Sequence, residues 1–328
     1  MDIQALKQWL IIIDNLMTQD KTSFRELLMR ISTTSNSTLS SLITSKESDH
    51  ELRAQALKRL AFTVLSSELD RYQSQVPEIQ ERLSENIRLS QVPTVHAQVF
   101  LCYRVLLLRL RPSHLVSMWP AMVTELASFL TVELSNWHLT FFSNKFEIYS
   151  TTLVHVLLQI EQQLLGASSL SDDLKCDRSD HWMQLYLAAC KLLEALCTLP
   201  SGYLPQYQMC HWAFVASVGA SCSDSFVPFA GRISALLNNK FGQLTTSEKK
   251  LISASLLNVK TLTSFGELRP FFLALATQNK SLLISQPYST EDGQLRDAAF
   301  MSGKLTYNSA ISRLEHSLHV DFAEPWQL

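Results

Sequence analysis

Glycine and proline are scarce in this sequence, with 8 Gly and 10 Pro among 328 residues. Average usage of about 7% and 5% would supply roughly 23 and 16. Strand-rich folds draw on glycine for the positive-φ turns of their hairpins, so the shortage disfavours an all-β fold and Gly-rich phosphate cradles. No P-loop, G-x-G-x-x-G, G-x-S-x-G or H-E-x-x-H pattern occurs. One-sided charge is missing too: 28 Lys+Arg face 30 Asp+Glu, for a formal net charge of -2. No run of like charges is long enough to follow a phosphate backbone, which argues against nucleic acid as a partner. Charged residues make up 18% of the chain, below the usual ~25%, which leaves a neutral, Ser/Thr-rich surface suited to binding.

Other absences narrow the setting. The first ten residues carry Asp2, Lys7 and Trp9 instead of a basic stretch followed by an apolar one, so no secretory signal is expected. The sequons at Asn36 and Asn279 are then idle. The longest uncharged stretch, 195–223, is broken by Pro200 and Pro205 and does not read as a membrane span. The six cysteines, Cys102, Cys176, Cys190, Cys197, Cys210 and Cys222, lack short paired spacing, and a reducing compartment is the simplest reading. His181, Cys190, Cys197, Cys210 and His211 crowd one region without the pairing that zinc requires, so they read as core and no metal or other cofactor is expected. Nothing singles out a catalytic residue, and the expectation is a protein that is not an enzyme.

What is present is helical periodicity. Ile3, Leu6, Leu10, Ile13 and Leu16 form one stripe and Leu52, Ala56, Leu60 and Val64 another. Ser48 to Glu51 and Thr245 to Glu248 fit capping boxes, and Pro77, Pro93 and Pro112 fit the first helical position. The pattern predicts helices over 2–17, 22–31, 49–72, 77–89, 93–110, 113–132, 144–165, 180–198, 205–218, 226–240, 246–258, 267–278 and 307–319. The fold class is therefore all-α: stacked antiparallel helix pairs in a HEAT-like or armadillo-like α-solenoid, or an irregular helical domain. Three regions are expected: N-terminal helices with a Ser/Thr-rich loop over 1–46, a repeat-like core over 47–280, and a polar tail with a terminal helix over 281–328. The loop has ten Ser or Thr within the fifteen residues 31–45.

Two features invite functional readings. Leu101, Leu108, Leu115, Met122 and Phe129 fall seven apart, but Pro112 and Pro120 interrupt the seam, which favours two packed core helices. Arg104, Arg109 and Arg111 cluster around a predicted helix end. The plain reading is that they complement the macrodipole and the last carbonyls. The functional alternative is an anion site for a phosphoinositide head group or an acidic partner.

The stretch Gln98 to Arg109, followed by His114 to Leu126 with Trp119 and Pro120 at its centre, resembles the C-terminal region of the Dopey family of Golgi and endosomal trafficking proteins. Leu57 to Phe62, Ser66 to Glu68 and Gln208 to Phe214 add to the likeness, which spans about residues 52–280. The resemblance implies a non-enzymatic scaffold or adaptor in Golgi–endosome vesicle traffic, peripheral on trans-Golgi network and endosomal membranes. Its implied partners are a large guanine-exchange-factor-like Golgi scaffold, a phospholipid flippase complex and membranes containing phosphatidylinositol 4-phosphate. The family's long N-terminal part is expected to be missing here, and with it any motor contact. Arg104, Arg109 and Arg111 are the candidates for an anionic surface, and Trp119 and Pro120 for packing of a kinked helix pair. The alternatives are a generic helical interaction domain in another pathway and, more remotely, an enzyme with an unrecognised site.

Overall fold

The computed structural model describes residues 3–32, 46–89, 92–116, 118, 157, 160–161, 163–164, 177–199, 203–215, 227–242, 254–277 and 307–323. All regular structure among these residues is helical and none is strand, as the composition requires of an all-α chain of the solenoid-like or irregular kind. The described residues fall into two compact units. One holds those up to residue 157 together with 177–192 and 322–323; the other holds 160–164 and 193–321.

The first unit contains α1 (Ile3–Gln19), α2 (Lys21–Ile31), α3 (Lys46–Ser66), a 3₁₀ turn (Gln73–Gln75), α4 (Val76–Leu89), α5 (Pro93–Arg109) and the short α6 (Pro112–Leu115). It also takes α7 (Asp177–Thr198) as far as Leu192. Its centre is α5, which has apolar side chains all around it and is buried almost throughout, His96 and Arg104 included. α3 lies along it, α4 also packs on it, and α1 and α2 pack on α3. Each fully buried Phe or Leu here contributes about 1.5–3 kcal/mol.

Polar groups settle the helix ends. Asp20 caps α2 by accepting from the Thr22 amide at 2.9 Å and from the Thr22 and Ser23 hydroxyls at 2.6 Å. Those bonds, Ser23's first, hold its carboxyl down at about 2. Asn86 Nδ2 donates to the Ile31 carbonyl at 3.1 Å, satisfying an orphan acceptor at the end of α2. Arg71 bridges back to α1 through Asp14 at 2.9 Å and Thr18 at 2.6 Å.

The second unit contains the end of α7, α8 (Pro205–Phe214), α9 (Phe229–Phe241), a 3₁₀ turn (Phe265–Leu268), α10 (Arg269–Ala276) and α11 (Tyr307–Phe322) up to Asp321. α9 and α10 pack together around Phe229, Ile233, Phe271 and Phe272. Gly242 ends α9 at φ 80, a conformation that suits glycine, and Arg269 Nη1 donates to the Phe241 carbonyl at 2.7 Å. Ser264 and Glu267 form a capping box into the 3₁₀ turn, and the Thr263 hydroxyl is the main cause that holds the Glu267 carboxyl low.

Several boundaries differ from the periodic pattern. α3 ends at Ser66 and not near 72, because Asp70 takes φ 61 and turns the chain back. α3 also begins at Lys46, so Ser48 lies inside the helix and is not its cap. Residues 254–258 are irregular where a helix over 246–258 was expected, because their polar groups turn to a side chain of α7. Pro93 and Pro112 do open their helices, and Pro77 is the second residue of α4. The chain breaks at Leu110–Arg111, so Leu101 and Leu108 lie on a different helix from Leu115. Met122, Phe129, the loop at 33–45 and the second capping box lie outside the described residues, as does most of the 144–165 helix.

Candidate functional site

The arginine cluster sits where α5 gives way to α6. Pro112 requires an extended residue before it, and Leu110 and Arg111 supply it with ψ 142 and 152. Asp70, from the α3–α4 connection, clasps this corner. Its amide donates to the Arg109 carbonyl at 2.9 Å, and its carboxylate accepts the Arg111 amide and the Arg111 Nε, both at 2.8 Å. Holding a non-glycine residue in the left-handed region costs on the order of 1 kcal/mol, tolerated best by Asp and Asn, and these three bonds offset it.

The three arginines do not share one surface. Arg104 is 2% exposed, inside the core around α5. Arg109 donates from Nε to the Leu65 carbonyl at 2.8 Å, completing the end of α3. Arg111 alone presents most of its side chain to solvent, 68%, while still paired with Asp70. Helix-end chemistry thus accounts for Arg109, and Arg111 is the member of the cluster that faces solvent. Trp119 and Pro120 lie outside the described residues.

A second polar centre was not anticipated. Glu194, in the last turns of α7, is 0% exposed. Its Oε1 accepts from Ser255 Oγ at 2.6 Å and its Oε2 from the Leu256 amide at 2.7 Å. Arg313 Nη2 of α11 stands 3.5 Å away, and Ser317 Oγ, one turn further on, donates to the Leu257 carbonyl at 2.8 Å. Burial pushes the Glu194 carboxyl up to about 7, against the opposing hydrogen bonds of Ser255 and Leu256 and the charge of Arg313. One carboxylate therefore joins α7, the irregular 254–257 segment and α11. The sequence signal was a lone Glu in the apolar run 192–199, where a charge must find a partner.

The three cysteines whose burial is described are sequestered. Cys102, Cys190 and Cys197 are buried and in no disulfide. Cys102 contacts the Leu57 carbonyl at 3.4 Å and burial pushes its thiol up to about 12, the opposite of an activated nucleophile. Among the described residues no cluster of His, Cys, Asp or Glu has metal-holding geometry. What the described surface does offer is apolar: Trp9, Ile11, Ile12 and Leu16 on α1, and Met209 and Trp212 on α8, are exposed. No described helix is long and apolar enough to cross a membrane.

Comparison with known proteins adds what geometry cannot. Residues 2–145 match the family model described as DOP1 C-terminal. The chain is 52% identical over all of its 328 residues to Protein pad-1 of Caenorhabditis elegans, and the match covers 12% of that protein. It is 34% identical over 301 residues to a Protein DOP1 homolog of Drosophila melanogaster, covering 84% of this chain and 11% of that one. It is also 31% identical over 343 aligned residues to Protein DOP1B of Xenopus laevis, covering 96% of this chain and 13% of that one. The chain thus spans only about an eighth of the length of these relatives. No solved structure matches. Alignment along the whole chain with pad-1, and of its first 145 residues with the DOP1 C-terminal model, places this chain in the Dopey family.

Proposed function

We propose that this chain is a non-enzymatic scaffold or adaptor in Golgi–endosome vesicle traffic, working through protein–protein contacts and peripheral membrane association. Membership of the Dopey family is the observation that carries this reading. The described surface is compatible with it: large apolar side chains such as Met209 and Trp212 stand exposed on a helix, as helix-face recognition of a partner requires. The proposed location is the cytosolic face of trans-Golgi network and endosomal membranes. The proposed partners are the large guanine-exchange-factor-like Golgi scaffold and the phospholipid flippase complex.

The test is capture from Golgi-enriched lysate on the immobilised chain. Recovery of the exchange-factor-like scaffold is expected. Its absence, with other helical partners recovered in its place, would instead favour a generic interaction domain of another pathway. An anionic-lipid contact, for phosphatidylinositol 4-phosphate, is proposed at Arg111, the exposed member of the arginine cluster. Arg111→Glu should lower binding to vesicles containing that lipid several-fold without shifting the thermal melt by more than a few degrees. Unchanged vesicle binding would remove the lipid from the reading.

A further inference from the structure

α1 carries two apolar stripes, and the described residues cover one of them. At 100° per residue, Leu6, Leu10, Ile13 and Met17 share the face that packs inward, with Leu6 completely buried. Beside it runs a second stripe, Ala5, Trp9, Ile12 and Leu16, spaced four, three and four residues apart. That spacing is the one by which a helix meets another helix. Trp9 is 49%, Ile12 45% and Leu16 54% exposed. Its outer border is uncharged, formed by Gln4, Gln8 and Asn15, all exposed. The two charges of α1, Lys7 and Asp14, lie on the far side of the helix, and Asp14 is engaged by Arg71 at 2.9 Å.

Stacked helical proteins finish on helices whose outer face is polar, because an end layer must face water. α1 has the opposite pattern, that of a helix inside a stack. A second copy is a poor occupant. Four side chains over three turns fall far short of the ~20–30 residues a side that a stable dimer uses. A tethered helix needs much less contact, because its effective concentration is on the order of millimolar and no free translation is lost on docking. The relatives have the chain to supply one: the matched region is 12% of pad-1, and the family model assigns its first part to the C-terminal side.

We propose that the Ala5–Trp9–Ile12–Leu16 stripe is an interhelical seam, covered by an uncharged amphipathic helix from the part of a DOP1-type polypeptide that precedes the matched region. The covering helix would carry its own apolar residues at three- and four-residue spacing, with a bulky one over Ala5.

The test compares this chain alone with full-length C. elegans pad-1 carrying it in place of its 52%-identical counterpart. Hydrogen exchange is read for the α1 peptides in both. At least tenfold slower exchange in the full-length chimera is expected, and Trp9→Ser/Ile12→Ser/Leu16→Ser should abolish the slowing while leaving the circular-dichroism melt of the isolated chain unchanged. Ile12→Ser alone, read in the same way, decides the matter where the triple variant fails to fold. Equal exchange in the two proteins overturns the proposal. So does an isolated chain that elutes as a dimer and becomes monomeric on the triple substitution, or slowing that appears only when vesicles are added.

Discussion

α1 and α5 are both 17-residue helices rich in branched apolar residues, Leu and Ile in one and Leu and Val in the other, yet one is half open to solvent and the other is enclosed. Their composition barely separates them; their neighbours do. α5 has α3 and α4 against it, whereas α1 leans on α2 and α3 with one flank only. Hydrophobicity states that a helix face should be covered, and the packing around it decides whether this unit does the covering. The same contrast holds for charge. Glu194 is enclosed and must be matched group for group, while Arg111 stands at the surface, where an ion pair is worth little.

The enclosed side of this comparison should yield the largest effects. Phe100→Ala on α5, at a position only 2% exposed, is expected to cost about 3–5 kcal/mol, measured by urea denaturation. A loss below about 1 kcal/mol would mean that α5 is not the centre of its unit.

Glu194 comes next. Its carboxyl is raised from 4.5 to about 7, so the folded state holds a proton that the unfolded chain releases. Its contribution is fully present below about pH 4.5 and is lost as pH rises through about 7, up to about 3 kcal/mol over that interval. Glu194→Gln, which keeps an acceptor and removes the charge, should flatten the stability profile of the second unit between pH 5 and 7.5. An unchanged slope would assign the pH dependence elsewhere.

The clasp at the end of α5 lies between enclosed and open. Asp70→Ala should cost about 1–3 kcal/mol, since it deletes two acceptor bonds and leaves a left-handed backbone without a suitable side chain. Asp70→Asn should recover at least half of that, because it retains an acceptor and the tolerance for positive φ. On the open side, Leu16→Ser is expected to move stability by about 0.5 kcal/mol or less. A loss as large as that from Phe100→Ala would erase the distinction between the two helices.

How much of this was legible beforehand depended on whether the deciding contact was local. Pro93 and Pro112 opened their helices as written, because a fixed φ and a missing amide act within one turn. The stop at Ser66 was not legible: it comes from Asp70 reaching the α5–α6 corner some forty residues away. The irregular 254–258 segment looked helical for the same reason, since the carboxylate that holds its polar groups belongs to Glu194, about sixty residues earlier. Three- and four-residue spacing puts Leu16 in one stripe with Leu6, but at 100° per residue it falls on the neighbouring, open face. The arginine cluster was visible as a cluster; that Arg104 is inside and Arg111 outside was not.

The sequence by itself determined that the chain is helical, that it carries no P-loop or other Gly-rich phosphate motif, and that its residues resemble a Dopey C-terminal region. Those properties follow from composition, short-range periodicity and matching residues, all of which survive without coordinates. Tertiary structure alone decided which apolar stripe is covered, which arginine meets water and which loop a buried glutamate captures. Each of these is settled by groups distant in sequence, whose desolvation and hydrogen bonding depend on where the folded chain brings them together.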